Sequence, residues 1–146
     1  KALEFADKYL REHDCPLLVY QGKLNLLSRD PQKEGITSYC ADHGIGFVSF
    51  SPLAQGLLTD RYLNGIPADS RMAKEHFLTH EALTPQLLAQ LKQWNGMAAE
   101  RGESLAEMAL SWILQQQGVT SVLVGASSTA QLATNLKGVD ATCPAI

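Results

Sequence analysis

The apolar positions of this chain change their spacing repeatedly along its length, and each change marks the passage from one kind of element to the next. Ala2, Phe5, Ala6, Tyr9 and Leu10 recur at helical spacing, and the pattern ends before Asp14-Cys15-Pro16, because proline turns the residue before it away from helix. Pro16 to Gln21 follows as an apolar run without alternation, the pattern of a parallel-type strand covered on both faces. Asp30 and Pro31 read as the N-cap and first turn of a helix whose stripe is Ile36, Tyr39 and Cys40 and whose terminator is Gly44. The second strand, Ile45 to Phe50, starts immediately. Thr84-Pro85 opens a further helix with Leu87, Leu88, Leu91, Trp94 and Met97 on one face, closing at Arg101-Gly102. Ser104 and Glu107 have the spacing of a capping box. Leu105, Met108, Ala109, Trp112 and Ile113 supply the buried stripe of the helix it begins, and Gly118 stops that helix. Ser121 to Val124 is the third strand, and Gly125-Ala126-Ser127-Ser128 leads into a helix carrying Leu132 and Leu136.

Strands that alternate with helical crossovers predict an α/β fold with a parallel sheet or barrel, since parallel strands need a long return connection. At 146 residues and 45% hydrophobic composition, with no low-complexity segment, one domain over residues 1–146 is expected. Three parallel strands leave two open edges, so the chain should pair with further polypeptide or with a second copy of itself. Lys1 lies inside a helical pattern, which reads as a piece of a longer protein.

A net charge of −3 provides no basic field of the kind that nucleic acid or an anionic membrane demands. No apolar stretch approaches the ~20 residues of a membrane span. The opening Lys1-Ala2-Leu3-Glu4-Phe5-Ala6-Asp7 carries acids where a signal peptide is apolar, so a cytoplasmic protein is expected. Cys15, Cys40 and Cys143 lack any C-x-x-C spacing and lie in or beside apolar stretches, the usage of reduced, structural thiols. The histidines, His13, His43, His76 and His80, are scattered. His76 and His80 share a possible helical face but lack the Glu of a metalloprotease helix, so they read as loop surface and no metal site is expected.

Candidate chemistry gathers at the carboxyl ends of the strands. Phe50-Ser51-Pro52-Leu53-Ala54-Gln55-Gly56-Leu57-Leu58-Thr59 joins a strand to a loop that Pro52 and Gly56 keep from becoming strand or helix, at the edge where α/β proteins bind ligands. The segment from Gly125 to Gln131 sets small residues and hydroxyls at a helix N-terminus. It reads as a phosphate cradle with free amide donors, as a Ser128–Gln131 capping box, or as both at once. Gln21 ends an apolar strand, and its amide could meet a ligand's carboxamide or close a backbone bond. Arg29, Arg61 and Arg71 follow strand ends, where guanidinium groups suit phosphates. No G-x-G-x-x-G, P-loop or G-x-S-x-G motif occurs, which argues against Rossmann, P-loop and serine-hydrolase modes.

Several of these segments, in one order, resemble the C-terminal half of an aldo-keto reductase, in the branch of glyceraldehyde-phosphate reductases and potassium-channel β subunits. The carriers are Gln21 with Asn25-Leu26-Leu27 and Arg29, the run Phe50 to Thr59, Tyr62 with Gly65-Ile66-Pro67 and Ser70-Arg71, Ala109 to Trp112, and Ser121 to Ser127 with Gln131 and Asn135. The resemblance implies the sixth to eighth strands, with flanking helices, of a (β/α)8 TIM barrel that binds NADP(H) and reduces aldehydes or ketones. It implies Gln21 on the nicotinamide carboxamide and Phe50 against the ring. Ser51, Leu53, Gln55 and Gly56, with Pro52 and Ala54 in the same loop, would wrap the pyrophosphate, and Arg61 would be a cationic partner. Arg71, Ser127, Gln131 and Asn135, with Gly125 at the head of that loop, would hold the adenosine end and its 2′-phosphate. The chain departs from the family at Gly22 and Leu24, where a proline and an aromatic are usual, and at Thr134, where an acid often contacts adenine. The family's catalytic Asp, Tyr, Lys and His come from earlier strands with no counterpart in this chain. The implied catalytic set here is therefore empty, and the chain alone should be inactive. Two other readings stay open, an NADP(H)-sensing regulatory subunit and a structural half barrel that dimerises.

Overall fold

A computed structural model describes residues 1–68, 70, 72, 73 and 80–141. The chain forms two compact units, Lys1–Pro52 with Ile113–Val124, and Leu53–Trp112 with Gly125–Ile146.

The first unit carries a three-stranded parallel sheet of order β1 (Val19–Lys23), β2 (Gly46–Phe50), β3 (Val119–Val122). Pairing fixes its boundaries. Val19 to Lys23 align residue by residue with Gly46 to Phe50, so β1 begins three residues later than the apolar run suggested. Nor is β1 buried on both faces. It is an edge strand in which Val19 is 52% exposed and Gln21 is exposed as well, while Gly22 alone is buried. A β-carbon on Gly22 would lie 2.8 Å from the Phe47 ring, itself stacked on Tyr20, so only glycine lets that ring seat itself. Between β2 and β3 the register slips at Phe47/Val48, and the Thr120 hydroxyl accepts the Phe47 amide at 3.2 Å where the ladder is interrupted. β3 thus spans 119–122, and Leu123 and Val124 lie beyond it.

The helix expected from Asp30 to Gly44 is two, α2 (Asp30–Lys33) and α3 (Ile36–Asp42), broken where Gly35 takes the left-handed φ of 73°. Arg29, rather than Asp30, is the N-cap of α2. α1 (Ala2–Glu12) also differs from its apolar pattern, for Phe5 and Tyr9 face outward and the one buried residue is Asp7. Its carboxylate accepts from Arg11 Nε at 2.8 Å and from Tyr39 Oη at 3.0 Å, and Arg11 Nη2 donates to the His43 carbonyl at 2.8 Å, clamping α1 to α3. Burial by itself raises the Asp7 pKa, but the hydrogen bonds from Arg11 and Tyr39, with the Arg11 charge, outweigh it and leave it below the usual carboxylate value. Burial and the Asp7 hydrogen bond push the Tyr39 phenol up, and burial followed by the Asp7 charge does the same to the Cys40 thiol. Cys40 is a buried thiol as expected, Cys15 is exposed instead, and Cys143 lies outside the described residues.

In the second unit, single 3-10 turns at Ala54–Gly56, Asp60–Tyr62 and His80–Ala82 precede α4 (Pro85–Glu100). The Thr84 hydroxyl caps α4 by accepting from Leu87 N. α5 (Leu105–Leu114) starts at the expected capping box, in which Ser104 Oγ accepts from Glu107 N at 3.2 Å and Glu107 Oε2 accepts from Ser104 N. Every residue from Leu105 to Ile113 is buried, which is broader than a stripe and fits a helix lacking a water-facing side. α6 (Thr129–Lys137) closes the unit, with Gly138 packed so tightly that a β-carbon would lie 2.9 Å from Leu110 Cβ. Among the described residues no helix is long and apolar enough to cross a membrane, and no group of His, Cys, Asp and Glu could hold a metal ion.

Candidate functional site

The carboxyl ends of β1 and β2 are held by two buried polar side chains. Ser49 Oγ donates to the Leu24 carbonyl at 2.7 Å. Asn25, wholly buried, accepts from the amides of Leu27 and Ser28 and donates through Nδ2 to the Ser51 carbonyl at 2.9 Å. The loop after β1 is thereby tied to the loop after β2, which fixes where Phe50 and Ser51 leave the sheet. Phe50, the last residue of β2, keeps 36% of its surface exposed, Pro52 is buried, and Ser51 has a left-handed φ of 52°. Gln21 stands on the exposed edge strand opposite Val48, so the buried-amide argument for it does not hold.

The Pro- and Gly-shaped loop continues in the second unit as a tight left-handed turn. Ala54, Gln55 and Gly56 have φ of 46°, 60° and 98°, and the amides of Gly56 and Leu58 both close on the Leu53 carbonyl. For the two non-glycine residues such a conformation costs on the order of 1–2 kcal/mol each. Leu57 and Leu58 anchor the turn by burial. Thr59 then donates from Oγ1 to the Gly56 carbonyl at 2.7 Å and accepts from Arg61 N at 3.2 Å, so that Asp60 and Arg61 are presented above the buried Tyr62.

A cavity of about 610 Å³ opens beside this turn, within the roughly 300–1,000 Å³ range of ligand clefts. Leu53, Thr59, Asp60 and Arg61 line one side. Ser104 and Ala106 from the start of α5 contribute, and Gln131, Thr134 and Asn135 come from α6. Asn135 is the residue to notice. It is 4% exposed, and its Nδ2 has no hydrogen-bond partner among the described residues. A buried donor left without an acceptor costs about 1–3 kcal/mol, which a ligand acceptor would relieve.

At the head of α6 the cap expected of the Gly125 segment is formed. Ser128 Oγ accepts from Gln131 N at 3.1 Å, and Gln131 Oε1 accepts from the amide and the hydroxyl of Ser127 at 2.8 and 2.9 Å. The Ser127 amide is therefore already engaged by Gln131 rather than free for phosphate. Of the expected site residues in this unit, Leu53, Arg61, Gln131 and Asn135 share the cavity wall, and Ala54, Gln55, Gly56, Gly125 and Ser127 stand outside it. Arg71 lies outside the described residues. Thr59 ends the loop singled out from the sequence, whereas sequence reasoning gave no site role to Asp60, Pro67, Ser104 and Ala106. For Asp60 the available signal was its position beside a candidate guanidinium; Ser104 and Ala106 read only as a helix cap.

The Aldo/keto reductase family model matches residues 2–144 of the chain. The chain is 48% identical over 135 residues to the L-glyceraldehyde 3-phosphate reductase of Escherichia coli K12, an alignment covering 90% of this chain and 39% of the relative. It is 36% identical over 126 residues to a probable voltage-gated potassium channel subunit beta of Oryza sativa, covering 84% of this chain and 38% of the relative. Among solved structures, a thermostable aldo-keto reductase crystallised with the inhibitor epalrestat matches with a TM-score of 0.66 at 20% identity. That match covers 94% of this chain and 39% of the other, a likeness of fold. The chain thus spans about two fifths of the length of the relatives it matches.

Proposed function

The chain belongs to the aldo/keto reductase family, and from that premise we propose that it is the cofactor-binding part of an NADP(H)-dependent carbonyl reductase. In this reading its strands are the sixth, seventh and eighth of the barrel, and the whole protein, a cytoplasmic enzyme, converts aldehydes or ketones to alcohols. NADP(H), when bound, supplies or accepts the hydride. Gln21 and Phe50 hold the nicotinamide end, and the left-handed loop from Ser51 to Gly56 follows the pyrophosphate. Arg61 is a cationic partner of the pyrophosphate, and Gln131 and Asn135 receive the adenosine end. What carries the reading is Asn135, a buried donor without an acceptor among the described residues, on a cavity wall shared with a guanidinium and a second amide.

The proton that completes carbonyl reduction must come from a group within hydrogen-bond reach of the carbonyl oxygen. In this proposal that group belongs to a part of the whole protein with no counterpart in these 146 residues. Of the four tyrosines here, Tyr62 is buried, Tyr39 is engaged with Asp7, Tyr20 stacks on Phe47 and Tyr9 stacks on His13. The 146-residue chain by itself is accordingly expected to be inactive. The test is NADPH oxidation by the full-length protein across a broad panel of aldehydes and ketones. Turnover with at least one carbonyl class is expected, and none across the panel would refute the enzymatic reading.

The 36% identity to a channel β subunit favours one alternative, a regulatory subunit that senses nicotinamide redox state. Tight NADP(H) binding with negligible turnover and a stable protein partner would select it.

A further inference from the structure

On the cofactor reading proposed above, we infer that Asn25 is a positioning residue: without touching the cofactor, it holds Ser51 in the conformation from which the cofactor loop departs. Both residues belong to the first unit. Ser51 has a left-handed φ of 52° and stands directly before Pro52, whose ring confines the preceding residue to extended backbone. A glycine would take that φ without strain, yet the chain carries serine. Such a conformation persists only where its surroundings over-determine it, and residues held in this way gather at ligand clamps.

Asn25 supplies the constraint. It is wholly buried, and its Oδ1 accepts from the amides of Leu27 and Ser28 at 3.0 and 2.9 Å. Backbone amides can only donate, so the carboxamide has one orientation, with Nδ2 donating to the Ser51 carbonyl at 2.9 Å. Asn25 is itself fixed, because its backbone exchanges two hydrogen bonds with that of Ser28. A second tie, from Ser49 Oγ to the Leu24 carbonyl at 2.7 Å, and the burial of Pro52 hold the two strand ends together. A loop already in its binding conformation incurs no ordering cost when the ligand arrives, and apparent affinity falls in proportion to the molecules that lose that conformation. If loss of the tie leaves Ser51 left-handed in about a tenth of molecules, cofactor binding weakens about tenfold.

The experiment is a calorimetric titration of NADP+ into the full-length protein, Asn25→Asp, Ser51→Gly and the double variant. Aspartate matches asparagine in size and still accepts from the Leu27 and Ser28 amides, but it sets an oxygen against the Ser51 carbonyl in place of a donor. Asn25→Asp should weaken NADP+ binding about tenfold in the native background and less than about threefold in the Ser51→Gly background, where glycine takes the left-handed φ unaided. In the cofactor-free protein, Asn25→Asp should move the Ser51 amide-to-α-proton coupling toward that of extended backbone. Ser51→Gly should by itself raise the melting temperature by removing strain, an arm that stands even where Asn25→Asp does not fold. The same ratio of affinities in both backgrounds, an unchanged Ser51 coupling, or a Ser51→Gly protein that melts below the native one would overturn this inference alone. Absence of NADP+ binding by the native protein would overturn the cofactor reading and this inference with it.

Discussion

Replacing Asn135 by Leu should make the protein more stable and worse at binding its cofactor. The side chain is 4% exposed with its Nδ2 unpartnered among the described residues, so the native protein carries a desolvated donor whose cost is about 1–3 kcal/mol. Leucine has similar size and branching, removes that donor and adds apolar burial, and a net gain of about 1–2 kcal/mol is expected. For a chain of this length that is a rise in melting temperature of about 3–6 °C. Loss of one hydrogen bond to the nucleotide should weaken NADP+ binding by about fivefold. Thermal melts with and without NADP+ read both effects. The variant should start higher than the native protein and gain less on adding cofactor, because ligand stabilisation follows the ratio of concentration to dissociation constant. An Asn135→Leu protein that melts below the native one, with its cofactor-induced shift intact, would refute the reasoning, since it would make Asn135 an ordinary packed core residue.

Three further outcomes follow from the packing. Gly118 has φ of 86°, and a β-carbon there would collide with the Thr37 carbonyl, so Gly118→Ala should cost about 3 kcal/mol and lower the denaturation midpoint accordingly. Ser104→Ala removes the hydroxyl half of the α5 capping box and should cost about 1 kcal/mol in the same chemical melt. Because Asp7 has its folded pKa below the ordinary carboxylate value of 3.8, its contribution is complete above that value and is lost as pH falls through the lower folded pKa. Acid melts of the native protein should therefore fall away more steeply below about pH 4 than those of Asp7→Asn, and equally steep acid limbs would contradict the clamp.

Much of the architecture was legible because it is written in local chemistry. The Ser104–Glu107 box, the Thr84 cap and β2 stand essentially where the residues placed them. What was illegible depends on pairing across the chain. Leu17 and Leu18 look like strand, yet β1 is set by its register against β2 and starts at Val19. The break at Gly35 was hidden because a glycine inside a helical pattern costs only about 1 kcal/mol and often does not end the helix. Phe5 and Tyr9 look like a core stripe, but α1 is seated by a buried carboxylate instead. The candidate site divides the same way. Arg61, Gln131 and Asn135 were named from the sequence, whereas Asp60 and Ser104 enter the cavity wall through one 3-10 turn and a helix cap that carry no hydrophobic period.

The most direct test of the account is the side-chain amide of Asn135 in a nitrogen-15 correlation spectrum of the protein titrated with NADP+. Its Nδ2 cross-peaks should shift saturably, together with those of Gln131, while the Gln90 and Gln93 amides, paired with each other on α4, stay in place. Asn135 peaks that remain fixed at saturating NADP+, or that move no more than those of Gln90 and Gln93, would contradict the claim that this cavity holds the adenosine end of the cofactor.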